Sequence, residues 1–345
     1  MGSVLLALLA VVCMWGCSEQ LFYLPSEQQV FHQNRSSINR VLDVLWVIDN
    51  SGSMETSQAN LATNLDSFID GFIKRNLSFK MAFTTSDAYM SLFSGNWADS
   101  NFRDGGAVNG HSGTPIITNM TPNIQDVFLK NARPGVDGKG DERVFQSIQQ
   151  TLINPNNKNF LRPESFFAVI IISDEDDFSW DGSTDISPNY SNPGLHPVSR
   201  YVNFLDTFTG SVPDNRRYNV STISIMDTAC LNILKPTTNP SQKIGLRYME
   251  LADATAGHKG SLCANFAETL NKISGKLLEL LTQFPLNRTP DLATIKVFVD
   301  AKEVPESATD GWTYNSSQNS IYFHGNAVPA EGQSVVINYN PATPR

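Results

Sequence analysis

Residues 41–49, VLDVLWVID, are almost continuously apolar and dominated by β-favouring side chains. A strand with one wet face alternates apolar and polar residues, so an unbroken run implies a strand covered on both faces. FFAVIIIS at 166–173 repeats the pattern, and Phe79–Thr84 and Tyr218–Met226 read as further strands. Between them the period changes to that of a helix. Leu61, Leu65, Phe68, Ile69 and Phe72 share one face of a helix over 54–75, and helical patterns return at 122–132, 141–152 and 198–208. The clearest helix is 265–284, with Phe266, Leu270, Ile273, Leu277, Leu281 and Phe284 in one stripe. Strands alternating with helices predict an α/β fold: a doubly wound, mostly parallel sheet. The Gly-, Asn- and Ser-rich stretches 88–120 and 179–197 read as loops, the former with a weak edge strand.

After Pro285 only short strands remain, at 294–299, 311–314, 320–323 and 334–339, with Asn315–Asn319 turning a hairpin. This is a small C-terminal all-β extension, about 55 residues and too small to stand alone, so it is expected to pack on the main domain. The division is therefore 1–16 export signal, 17–39 tether with at most one edge strand, 40–284 main domain and 285–345 small β domain. The chain has 345 residues and carries 25 Lys and Arg against 34 Asp and Glu, a formal charge of −9. An acidic chain without a basic cluster is a poor nucleic-acid binder, because phosphate contacts supply most of that affinity.

The informative segment is Asp49-Asn50-Ser51-Gly52-Ser53, where the first buried strand ends. In open α/β sheets, ligands bind beyond the carboxyl ends of strands. Asp-x-Ser-x-Ser offers a carboxylate and two hydroxyls on a tight loop, with Gly52 expected to permit the turn. These are hard oxygen donors suited to Mg²⁺, Mn²⁺ or Ca²⁺ and not to zinc. A buried strand running through VLDVLWVIDNSGSM into a helix resembles the von Willebrand factor A-type domain and its metal-ion-dependent adhesion site. The resemblance covers residues 40–284 and implies a Rossmann-like sheet. It also implies that Asp49, Ser51 and Ser53 hold the cation, together with Asp174 at the end of FFAVIIISD. The family's further Thr is replaced: Gly138-Lys-Gly-Asp-Glu142 stands where Gly-Gly-Thr is usual. Glu142 is the favoured occupant of that position and Thr114, in SGTP, the alternative. Asp87, Asp176 and Asp177 are read as solvated turn carboxylates, with a second acidic site as the less favoured possibility. The resemblance implies metal-assisted binding of a protein or matrix ligand. The second reading is an envelope component whose cation is purely structural, and a remote third is a hydrolase subunit that uses the cation as a Lewis acid.

Residues 4–15 form the longest apolar run, at 12 residues. A bilayer of about 30 Å needs roughly 20 residues to be crossed, whereas this length suits an export signal. Gly16-Cys17 at its end resembles the lipobox of bacterial lipoproteins, which implies acylation of Cys17. It also places the chain at the cell envelope, membrane-associated through a lipid anchor. Ser18 would suit the outer membrane. Of four cysteines, Cys13 and Cys17 belong to the signal, so Cys230 and Cys263 are expected to pair in an oxidising compartment. Enzyme readings lack their residues: there is no G-x-S-x-G elbow, H-E-x-x-H or phosphate loop, and the five His are scattered. The chain is not expected to be an enzyme.

Overall fold

The computed structural model describes residues 26–32, 41–64, 68–69, 77–163, 165–183, 189–213, 216–234, 242–281, 283–316, 318–329 and 333–342. The expected signal, Cys17 and the tether outside 26–32 lie outside the described residues, as do Leu65 and Phe72.

Six strands form the main sheet. In spatial order they are Ile116–Thr118 (β4), Ser78–Thr85 (β3), Val41–Ile48 (β2), Phe166–Ser173 (β5), Tyr218–Ser224 (β6) and Lys259–Ser261 (β7). All neighbours run parallel except β4, an antiparallel edge strand on β3. The chain leaves β2 for β3 on one side and later returns to place β5 on the other. The carboxyl end of β2 is therefore the point where the winding reverses and a crevice opens.

The continuous apolar runs are explained by two cores. Leu42, Val44, Trp46 and Ile48 face helices Glu55–Thr63 (α1), Ile124–Asn131 (α2) and Phe266–Leu281 (α7). Leu45 and Val47, pointing the other way, face Val144–Ile153 (α3), Val198–Thr209 (α4) and Leu246–Ala254 (α6). Trp46 is fully buried, with its ring centroid 4.9 Å from Phe68, 6.2 Å from Phe83 and 5.7 Å from Phe128. Asp43 interrupts the β2 run, and Arg162 neutralises it through Nε at 2.9 Å and its own amide at 2.8 Å. A helix Thr228–Leu234 (α5) carries Cys230, which is joined to Cys263.

Several boundaries differ from expectation. The helix predicted over 265–284 stops at Leu281, and Phe284 instead lies in the strand Gln283–Pro285 (β8). There its ring enters a separate core with Val297, Trp312, Ile321, Phe323 and Ile337. Periodicity could not separate the last helical contact from the first contact of the next unit. The 88–120 region, read as loop, contains a short helix, Ser91–Ser94.

The C-terminal unit consists of two antiparallel sheets. One is β8 with Ser320–Phe323 (β12) and Trp312–Asn315 (β11). The other begins at Glu27–His32 (β1), followed by Ser334–Tyr339 (β13), Lys296–Val299 (β9) and Lys302–Val304 (β10). So residues 27–32 of the expected tether form the edge of a sheet built otherwise from the far end of the chain. Arg288 pairs with Glu27 at 3.1 Å, and Tyr339 donates to Gln29 at 2.8 Å.

Candidate metal centre

Strand β2 delivers Asp49 to the crevice, its amide still donating to the Ile172 carbonyl at 2.9 Å. Burial of the preceding apolar residues fixes the strand, so the carboxylate is fully buried. Its Oδ1 accepts from the Ser51 amide at 2.8 Å and its Oδ2 from the Ser173 hydroxyl at 2.6 Å. Ser51 Oγ lies 3.2 Å from Ser53 Oγ, and Ser53 Oγ donates to Asp174 Oδ1 at 3.1 Å. Asp49, Ser51, Ser53 and Asp174 thus converge, although 121 residues separate Ser53 from Asp174. Ser51 and Asp174 are buried, while Gly52 and Ser53 are exposed and form the mouth.

Gly52 is not the glycine this arrangement requires. It is outside the left-handed region, and an added Cβ would meet only the Val136 carbonyl oxygen, at 3.9 Å. Gly138 is more constrained. Its amide donates to the Asn50 carbonyl at 2.8 Å, and a Cβ there would lie 2.5 Å from Asn50 Cγ. That close approach seats the 138–143 loop against the Asp49 loop. Asn50 is also held by Ser86, at 3.1 Å, and by Asp87, at 3.1 Å.

Glu142 follows on the same loop and is fully buried. Neither of its oxygens receives a hydrogen bond from an amide, hydroxyl or guanidinium donor. The flanking residues explain how it is held. Arg143, also fully buried, donates to Asp141 Oδ2 from Nε at 3.0 Å and Nη2 at 2.8 Å. Its guanidinium lies 4.7 Å from the Tyr89 ring centroid and donates to the carbonyls of Trp180, Gly182 and Ser183. Thr114 has other partners: its amide donates to Ser112 Oγ at 3.0 Å and its carbonyl accepts from Asn131 at 2.8 Å.

The acidic residues after β5 are not solvated. Asp176 and Asp177 are buried. Asp177 accepts from the Phe145 amide at 2.9 Å, capping the start of α3, and pairs with Arg247 at 3.2 Å. Asp176 accepts from the amides of Asp177 at 2.9 Å and Arg247 at 3.0 Å. Asp87 is partly buried and accepts from Thr85 as well as Asn50. These three carboxylates fasten loops; the clue to burial was that DEDD directly follows a fully covered strand.

Burial, and then the charge of Asp174, push Asp49 up to about 6. Burial and the charge of Glu175 push Asp174 up to about 6 against the hydrogen bond from Ser53. Glu142 is held well above the usual carboxylate range by burial, then by the charges of Asp49 and Glu175. Such shifts mark a site where negative charge is concentrated without enough compensation. Among the described residues no group of three or more His, Cys, Asp and Glu is disposed to hold a metal ion. The donors that converge are two carboxylates and two hydroxyls. Oxygen donors of this kind would suit a hard divalent cation whose remaining positions are taken by water.

No protein-family model and no curated protein matches the sequence. Solved structures similar to it include the pilus adhesin SpaC of Lactobacillus rhamnosus GG in its open conformation. That match has 12% identity and TM-score 0.41, covering 86% of this chain and 38% of that one. Proximal thread matrix protein 1 of the mussel byssus matches at 10% identity and TM-score 0.38, over 72% and 50% of the two chains. The pilus adhesin RrgA of Streptococcus pneumoniae matches at 11% identity and TM-score 0.32, over 91% and 57%. The chain spans well under two thirds of the length of these proteins. At such scores and identities the likenesses assign neither family nor function.

Proposed function

We propose that residues 40–284 are a von Willebrand factor A-type domain that binds a divalent cation at Asp49, Ser51, Ser53 and Asp174, with Glu142 at its border. The cation, Mg²⁺ or a similar hard ion, serves to engage an acidic group of a protein or matrix ligand. The observation that carries this reading is the convergence of an Asp-x-Ser-x-Ser loop and a strand-ending Asp at the reversal point of a parallel sheet, with Ser53 at an open mouth. A bound cation supplies positive charge at that mouth. The protein's own residues orient it: Ser173 and the Ser51 amide fix Asp49, and Gln242, whose Nε2 lies 3.4 Å from Asp174 Oδ2, steadies Asp174. We place the protein at the bacterial cell envelope, exported and lipid-anchored through Cys17 in the outer membrane, with binding and not catalysis as its work.

Complete burial of Asp49 and Glu142 favours the second reading, in which the cation only rigidifies the loops. Capture of envelope or matrix proteins on the immobilised chain separates the two. Partners retained in Mg²⁺ and released by EDTA support cation-mediated binding. Partners retained equally in both, with a fold that melts earlier in EDTA, support the structural reading.

A further inference from the structure

Glu142 presents a problem that the Asp49 site does not solve. Its side chain is fully buried and neither carboxylate oxygen receives a donor, an arrangement unfavourable to an ionised group. No lysine or arginine figures among the strongest charges acting on Asp49, Glu142 or Asp174. One divalent ion balances two of these three carboxylates, leaving one over before Glu175 is counted.

After Asp49, the charge that acts on Glu142 is that of Glu175. It is buried, its amide donates to Ser173 Oγ at 3.1 Å, and Tyr190 donates to its Oε2 at 3.0 Å. Tyr190 belongs to the 189–197 loop, which packs beside Glu175. Its ring centroid lies 5.6 Å from that of Phe178, and the His196 amide donates to the Ser179 carbonyl at 2.9 Å. Arg143 ties down residues 180–183 through the carbonyls of Trp180, Gly182 and Ser183. Two buried glutamates thus act directly on one another, and a tyrosine hydroxyl holds one of them.

We propose that Glu142 and Glu175 hold a divalent cation of their own, beside the one at Asp49, so that the chain binds two hard metal ions. Two carboxylates with the remaining shell completed by water is an ordinary Mg²⁺ or Mn²⁺ environment and needs no third acidic ligand. Glutamate in the loop before α3 then has a purpose that a threonine could not serve, because a neutral hydroxyl would leave Glu175 to hold the second ion alone. The alternative for this pair is a proton shared between the carboxyls, which needs no metal. The inference goes beyond the Asp49 site, and the two fail separately.

The test is Mn²⁺ titration of the purified full-length chain at pH 7.5, following free Mn²⁺ by electron paramagnetic resonance. The wild type is expected to bind two ions. Glu175→Gln is expected to bind one, with the other weakened at least tenfold, and Glu142→Gln, a second near-isosteric change, is expected to repeat this. Thermal melting in EDTA establishes that each variant is folded. Binding of one ion in the wild type, unchanged by Glu175→Gln and lost in Asp49→Ala, overturns the second site and leaves the first. One ion lost in Glu175→Gln but kept in Asp49→Ala upholds the Glu142–Glu175 site and overturns the Asp49 reading. No binding overturns both.

Discussion

Replacing Asp174 by asparagine is expected to stabilise the metal-free protein, the reverse of what loss of a buried hydrogen-bonded residue normally does. Asp174 titrates at about 6 in the fold against an ordinary value of 3.8. As pH rises from about 4, the unfolded carboxyl ionises first while the native one retains its proton. Stability therefore falls through the window from about 4 to about 6, and the loss persists above it. About two pH units at 1.36 kcal/mol each set a ceiling of roughly 3 kcal/mol. The asparagine cannot ionise, so it escapes this cost. Its carbonyl can still accept from Ser53. Its amide would face Gln242 Nε2, now 3.4 Å from Asp174 Oδ2, but Gln242 Oε1 is buried without a partner, so reversing that amide restores an acceptor. Allowing about 1 kcal/mol for imperfect repacking leaves a gain of about 1–2 kcal/mol. Urea unfolding in EDTA at pH 7.5 measures it, and the same comparison at pH 4 is the control, because the native carboxyl is then protonated and the unfolded one only partly ionised, so that most of the gain should be lost. Addition of Mg²⁺ should stabilise the wild type more than Asp174→Asn, which keeps only the proposed Glu142–Glu175 site. A variant less stable than wild type in EDTA at pH 7.5, or an equal gain at pH 4, refutes the reasoning.

Three further outcomes are expected. Cys230 and Cys263 close a span of 33 residues, so converting both to serine should lower stability by roughly 4 kcal/mol on the chain-entropy account, read as a shift in the urea midpoint without reductant. Glu142→Thr should lower Mg²⁺ affinity in calorimetric titration while strengthening binding to an acidic partner group; unchanged metal affinity would place Glu142 outside the cation's reach. Cys17→Ser should move the protein from the membrane to the soluble fraction, and a mutant that stays membrane-bound beside a wild type taking up no labelled fatty acid argues against lipidation.

The parallel sheet was legible because burial on both faces erases alternation. Phe166–Ser173 is buried at every position, and its bounds match the apolar run residue for residue. The Asp49 loop was legible for the same reason, since the end of a continuous run marks where a strand meets the crevice. What the sequence concealed depends on distant partners. DEDD looks like a wet turn until Arg247, 70 residues on, is seen against Asp177. Gly138 matters only because Asn50 occupies the space its side chain would need. Strand β1 is short and polar, and pairs with residues about 300 positions away, so no local period could place it in the C-terminal sheet. Phe284 completed a helical stripe by spacing alone, while β8 took it for another core.

The same electrostatics that weaken the metal-free fold must make cation binding depend on pH. Asp49 and Asp174 each titrate at about 6 when no cation is present, and both must be ionised to act as ligands. Above pH 7 the cation meets two carboxylates already charged and repelling one another, so its binding relieves the repulsion and displaces few protons. Below 6 it must expel protons that burial favours. Apparent affinity should therefore be nearly flat above pH 7 and fall between tenfold and a hundredfold per unit below 6, according to whether one or two protons leave. An exposed aspartate pair would show this fall only near pH 4, the ordinary carboxylate range. Calorimetry at pH 5 in two buffers of different ionisation enthalpy counts the protons directly. At pH 5, one to two protons should be released per cation bound at this site. An affinity that stays level between pH 5 and 7 would mean that the cation is held elsewhere, and that Asp49 and Asp174 owe their convergence to the hydrogen bonds of Ser51, Ser53 and Ser173 alone.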